Sequence, residues 1–85
     1  MSYRVVWDKR ALDELRQIRR QHLDKEGIQH VVTRIDLQLT HEPQRAGESR
    51  HGSYRVLFKY PLVVWFEVLD RLQEVHVVHV RTTKR

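Results

Sequence analysis

The sequence predicts one α+β domain in which an N-terminal strand and a helix hairpin precede a three-stranded antiparallel meander. Short alternating apolar runs, typical of strands, occur near the N-terminus and three more times after residue 53. Between them, apolar residues recur at spacings of three and four, which is typical of amphipathic helices. Because 85 residues support one hydrophobic core, residues 1–85 are expected to form a single domain, with both helices on one face of one sheet.

The first strand is expected over Ser2–Trp7, where large apolar side chains alternate with others. Asp8 then has the character of a helix N-cap. An apolar stripe identifies the helix that follows, and it consists of Ala11, Leu15, Ile18 and His22, flanked by Leu12 and Leu23. Basic side chains occupy most of the remaining surface, so we expect an amphipathic helix with a basic exterior.

Gly27 is expected to break this helix and to separate it from a second one. The second helix is marked by apolar residues at Ile28, Val31, Val32, Ile35 and Leu39. It is expected to end before Pro43, since the residue before a proline is disfavoured in the helical conformation.

Three strands are predicted at Tyr54–Lys59, Leu62–Asp70 and Glu74–Thr82, with a turn at residues 70–73. Alternation places Tyr54, Val56 and Phe58 against the helices. The opposite, open face would then carry Arg55, Lys59, Trp65 and Glu67. In the last strand, Val75 and Val77 share a set with His79 and Arg81, and we assign His79 and Arg81 to the open face, although a one-residue bulge would change the alternation.

The composition restricts the class of partner. Sixteen Lys and Arg against eleven Asp and Glu give a net charge of +5, which favours a polyanion or an acidic protein. Cysteine is absent, which excludes disulfides and thiolate metal sites. With neither a signal-peptide pattern nor an apolar run of about 20 residues, we expect a soluble cytoplasmic protein without membrane association.

Several segments in order resemble the RelE/ParE toxin superfamily. They are YRVVWDKRALDELRQI, the P-x-x-x-GESR loop, YRVLF, LVVWFEV and VHVVHV, and they extend from Tyr3 to Arg81. Each segment is mostly apolar, so the resemblance lies in their order and spacing. It implies a toxin of a type II toxin-antitoxin pair with a cognate antitoxin protein as partner.

The resemblance leaves the mechanism open between two activities. RelE-like members cleave mRNA on the ribosome without a metal or another cofactor, whereas ParE-like members inhibit DNA gyrase. A third possibility is a catalytically inactive module that binds an antitoxin or nucleic acid. We favour the mRNA endonuclease, because a carboxylate and an imidazole on one surface can supply the base and the acid that such cleavage needs.

The residues expected to take part in catalysis are Arg55, Glu67, His79 and Arg81. Those expected to bind substrate are Arg50, Lys59, Trp65, Lys84 and Arg85. Arg55 matches the first cation of the basic strand in the RelE branch. Leu57 replaces the second cation, Val63 replaces an arginine and Phe66 replaces a tyrosine, so this chain departs from the RNase pattern.

Each candidate also has a purely structural interpretation. Arg55 and Glu67 on adjacent strands can form an ion pair, and His79 can be a structural imidazole. Trp65 can stack on a base or can pack against an antitoxin helix. Because strand residues three apart face opposite sides, His76 and His79 are not expected to bind zinc.

Overall fold

A computed structural model describes residues 2–83, so Lys84 and Arg85 lie outside the described part of the chain. The elements in chain order are β1 Arg4–Trp7, α1 Lys9–Gln21, α2 Lys25–His41, β2 Glu48–Ser49, β3 Tyr54–Lys59, β4 Leu62–Leu69, a short 3₁₀ turn Asp70–Leu72, and β5 Glu74–Thr82.

Within residues 2–83 the strands form one sheet in the order β1-β5-β4-β3-β2. β1 runs parallel to β5, and the other neighbours are antiparallel. The predicted strand, helix hairpin and meander are thereby confirmed. The short β2 was not predicted, because its two residues lie in a loop too brief and polar to show strand periodicity.

The hydrophobic core lies between the helices and one face of the sheet. Its buried members are Ala11, Leu15, Ile28, Val32, Ile35, Leu39, Ala46, Leu57, Leu62, Val64, Phe66, Val75, Val77 and Val80. Tyr3, just before β1, and Val5 and Trp7 of β1 pack against this core. The stripes of both helices also supply it, which confirms that the helices cover one face.

The boundary between the helices differs from the prediction at Gly27. This glycine lies inside the first turn of α2, and the chain breaks at residues 22–24 instead. The Asp24 carboxylate accepts a hydrogen bond from the Gly27 N–H at 2.8 Å. A Cβ at position 27 would stand 2.3 Å from Oδ2 of Asp24, so glycine provides room for this N-cap.

The faces of β3 are the reverse of those predicted. Directly paired residues of antiparallel strands share a face, and Arg55 pairs with Phe66 while Leu57 pairs with Val64. Arg55 therefore lies on the helix side, and Tyr54, Val56 and Phe58 lie on the open side. The prediction was wrong because it placed the more apolar set of β3 against the helices, whereas the helix side of β3 lies near the loop around Ala46, where carbonyls accept the hydrogen bonds of Arg55.

A β-bulge in β5 changes which residues face the core. Trp65 pairs with His79, but Phe66 pairs with Val77, so Val78 is an extra residue. Val77 is consequently buried in the core, whereas His79 lies on the open face as predicted. The assumption that His76 and His79 face opposite sides was wrong, because His76 pairs with Glu67 on that same open face.

Candidate functional site

The open face of the sheet carries three rows of side chains across β3, β4 and β5. The rows are Tyr54–Glu67–His76, Val56–Trp65–His79 and Phe58–Val63–Arg81. Neighbouring strands lie about 4.8 Å apart, so the side chains within one row are close. Phe58 is 62% exposed, and the face therefore combines accessible aromatic surface with imidazoles and a guanidinium.

A cleft of about 580 Å³ opens on this face. Its lining comes from α1, the loop after β2 and three strands, and consists of Arg10, Arg50, His51, Tyr54, Trp65, Val78 and His79. Two aromatic rings, two imidazoles and two guanidinium groups thus surround one opening. This combination suits a ligand that has both flat rings and anionic groups.

Trp65 and His79 form the floor of the cleft. Their ring centroids lie 5.1 Å apart with an angle of 58° between the planes. The pairing of these two residues across β4 and β5 fixes this contact, so both rings are held by the sheet rather than by a loop. Of the sequence-predicted residues, the structure brings Arg50, Trp65 and His79 together in the cleft, with Arg81 in the neighbouring row.

Glu14 of α1 reaches the edge of the sheet beside the cleft. Its carboxylate accepts hydrogen bonds from the Val80 N–H at 3.0 Å and from Arg81 Nη1 at 2.6 Å. Oε2 also lies 2.8 Å from Nδ1 of His79. Burial raises the pKa of Glu14, but the hydrogen bonds from Val80 and Arg81 and the charges of His79 and Arg81 outweigh it, so the pKa is lowered overall.

The loop after β2 is held in place by its own backbone. Arg50 N–H donates to the Tyr54 carbonyl at 2.9 Å, and Tyr54 N–H donates to the His51 carbonyl at 2.9 Å. The side chain of Arg50 contacts Glu48 Oε1 at 3.2 Å. These bonds carry Arg50 and His51 to the rim of the cleft, where both remain exposed to solvent.

Arg55 does not join the other candidates. Its Nε donates to the carbonyl of Ala46 at 3.0 Å, and its Nη2 donates to the carbonyl of Gly47 at 3.1 Å. The side chain therefore connects β3 to the loop in front of β2, on the helix side of the sheet. The Arg55–Glu67 ion pair considered from the sequence is also wrong, since the two residues face opposite sides.

Lys59 and Glu67 lie outside the cleft for different reasons. Lys59 pairs with Leu62, a core residue, and is therefore on the helix side, which corrects the predicted open-face position. Glu67 is on the open face as predicted, where it accepts a hydrogen bond from Ser53 Oγ at 2.6 Å. Its proposed role in proton transfer stays a prediction, as do the phosphate-binding roles of Lys84 and Arg85.

Several residues that line or support the cleft were not selected as site residues from the sequence, namely Arg10, Glu14, His51, Tyr54 and Val78. Arg10 and Glu14 were not singled out in the first helix, and Tyr54 was assigned to the helix-covered face. The positions of Arg10 and Glu14, four residues apart on one helical face, were a detectable signal for a charged pair. Their proximity to β5 depends on the packing of α1 on the sheet, which the sequence does not specify.

Within residues 2–83, no group of three or more His, Asp or Glu side chains has the arrangement of a metal site. No helix in this range has the length and apolar character needed to cross a membrane.

Comparison with solved structures identifies the fold. The toxin-antitoxin complex RelBE2 from Mycobacterium tuberculosis contains a chain that matches with a TM-score of 0.79 at 19% identity, over 96% of this chain and 92% of that one. The ParDE toxin-antitoxin system from P. aeruginosa matches with a TM-score of 0.71 at 17% identity, over 96% and 97% of the two chains. This protein has the RelE/ParE toxin fold.

The isolated E. coli RelE toxin matches as well, with a TM-score of 0.73 at 20% identity, over 98% of this chain and 86% of that chain. No protein-family model matches the sequence, and no curated protein matches it. The order and spacing of the segments thus identified the RelE/ParE fold from a sequence that is only distantly similar to these toxins.

Proposed function

We propose that this protein is the toxin of a type II toxin-antitoxin pair and that it cleaves RNA in the cleft on the open face of its sheet. The observation that carries the proposal is the cleft itself, where Trp65, His79 and Arg50 combine a stacking surface, a titratable imidazole and a cation. The RelE/ParE fold supports the assignment to toxins, since chains of the matching structures belong to toxin-antitoxin complexes.

The chemistry requires one group that removes a proton and one that supplies it. A base takes the proton of a ribose 2′-hydroxyl, whose oxygen attacks the adjacent phosphorus, and the bond from phosphorus to the 5′-oxygen breaks. An acid protonates that leaving oxygen. His79 supplies one of these functions and His51, which lines the same cleft, supplies the other. Imidazoles suit both roles because they titrate near neutral pH.

Binding of the substrate follows from other side chains in the cleft and from Arg81 in the neighbouring row of the open face. Trp65 and Tyr54 offer faces on which unpaired bases stack, and Arg50 and Arg81 neutralise phosphate charge. The partner in the cell is proposed to be an antitoxin protein whose acidic groups complement the net charge of +5. The proposed substrate is mRNA on the ribosome, in the cytoplasm.

The test is to express the chain in bacteria without an antitoxin and to measure how fast labelled precursors enter protein and DNA. Translation should fall before DNA synthesis, and the cleaved mRNA should carry 5′-hydroxyl ends. His79→Gln should lower the rate of cleavage by about 10²- to 10⁴-fold. His76→Gln is the matched control, because His76 lies on the same strand and the same face but does not line the cleft.

Two outcomes would contradict the proposal. An early fall in DNA synthesis with intact mRNA would favour inhibition of DNA gyrase, the ParE-like alternative. Unimpaired growth with abundant folded protein would favour an inactive binding module.

A further inference from the structure

We propose that Glu14 is a positioning residue that holds His79 in one tautomer, with the proton on Nδ1, and keeps Arg81 beside it. This inference deepens the proposed function and rests on it for the catalytic part of its test. The tautomer itself can be measured whether or not the protein cleaves RNA.

The contacts of one carboxylate carry the inference. Glu14 touches three consecutive residues of β5, namely His79 at 2.8 Å, Val80 at 3.0 Å and Arg81 at 2.6 Å. From its own helix, Arg10 approaches Oε2 at 3.6 Å. The Glu14 side chain is only 17% exposed, so these partners rather than water surround most of it.

The sheet leaves an opening for this helix residue. β1 ends at Trp7, which pairs with Val77, and beyond that pair no strand formed by residues 2–83 lies on this side of β5. The Val80 N–H would have no strand partner there, and Oε1 of Glu14 accepts its hydrogen bond. That bond fixes the carboxylate so that Oε2 faces His79 and Arg81.

The same geometry determines which nitrogen of His79 is available. Nδ1 is buried and lies against Oε2, although the two atoms are not aligned as a regular hydrogen bond. Such alignment is often reached only when substrate binds. An ionised carboxylate accepts hydrogen bonds but donates none, so it favours the ring form with hydrogen on Nδ1. Nε2 is then the nitrogen free to exchange a proton with a ligand in the cleft.

A second imidazole in the chain provides an internal comparison. His76 contacts Glu74 Oε1 at 2.9 Å through Nε2, the opposite ring nitrogen, while Asp8 Oδ1 lies 3.9 Å from Nδ1, beyond hydrogen-bond distance. By the same reasoning, neutral His76 should carry its proton on Nε2. The two histidines of one strand are therefore expected to show opposite tautomers.

The experiment is nitrogen NMR of the histidine rings in the wild-type protein, Glu14→Gln and Glu74→Gln, at a pH where the rings are neutral. The wild-type spectrum should show Nδ1–H for His79. Glu14→Gln retains an oxygen for the Val80 N–H but loses the charge, so the His79 signals should shift to a mixture of tautomers while those of His76 stay unchanged. Glu74→Gln should do the reverse.

RNA cleavage, normalised to folded protein, gives the second measurement. It should fall at least about ten-fold in Glu14→Gln and stay near wild type in Glu74→Gln. An Nε2–H tautomer for His79 in the wild-type protein would overturn the inference even if the variant fails to fold. Unchanged His79 signals in Glu14→Gln, or full cleavage despite altered signals, would also overturn it. If the wild-type protein cleaves no RNA, the proposed function fails. The tautomer of His79 then decides alone whether Glu14 holds the proton on Nδ1.

Discussion

Replacing Arg55 by alanine should destabilise the protein without removing a catalytic group. The guanidinium donates two hydrogen bonds, at 3.0 and 3.1 Å, to the carbonyls of Ala46 and Gly47. Hydrogen bonds from a charged donor contribute about 1.5 to 3 kcal/mol each, but the side chain is only partly buried and the two bonds are not additive. We therefore expect a loss of about 2 kcal/mol in the free energy of unfolding.

For a domain of this size, that loss corresponds to a fall of about 8 to 16 °C in the melting temperature. Circular dichroism on heating measures it. Lys59→Ala is the matched control, since Lys59 is a cation of the same strand and the same face, and it should change stability by less than about 0.5 kcal/mol. Cleavage per folded molecule should be equal in both variants.

An opposite pattern would refute this reasoning. If Arg55→Ala melts like the wild-type protein and yet loses all RNA cleavage, Arg55 is a catalytic or phosphate-binding residue, as the sequence resemblance implied. The structural account of its position would then be incorrect.

Three further outcomes are expected. Trp65→Ala should weaken binding of a short single-stranded RNA by about 1 to 3 kcal/mol, measured by fluorescence anisotropy, and unchanged affinity would exclude stacking on this ring. Gly47→Ala should destabilise the fold more than Gly52→Ala in denaturant titrations. Both glycines have a positive φ, which costs other residues about 1 to 2 kcal/mol. Only at Gly47 would an added Cβ also collide with a neighbour, the Val56 carbonyl oxygen at 1.9 Å. Glu14 has a lowered pKa in the folded state, so the stability that its ionised form contributes is present above pH 4.5 and is lost as the pH falls through the lower pKa of the folded protein. Glu14→Gln should therefore make the free energy of unfolding decline less steeply in acid. An unchanged decline would count against the contacts of Glu14 with Val80 and Arg81.

The sequence predicted the elements of this fold better than the faces of its strands. Helix and strand periods differ, so the hairpin and the meander could be recognised from spacing alone. The faces of β3 were predicted incorrectly because the helices pack mainly on β1 and β5, while the helix side of β3 lies near the loop around Ala46. A polar Arg55 is tolerated there, since loop carbonyls satisfy its donors.

The candidate site was predicted in part. Trp65, His79 and Arg81 were placed on the open face from alternation, and the structure agrees. Glu14 was missed because its contacts to β5 join residues more than sixty positions apart in the chain. Pairings over such separations depend on tertiary packing, which local patterns do not report.

The extra residue Val78 has a consequence for how this surface can change during evolution. Because Val78 is unpaired in the ladder, deleting it would leave regular alternation from Val77 onwards, with His79 and Arg81 still on the open face and Val80 still in the core. A single codon deletion at this position should therefore preserve the open face, whereas deleting the core residue Val77 would remove a buried side chain. Homologues of this protein can thus differ by one residue in the length of this stretch, and a correct alignment with them should allow a gap at Val78.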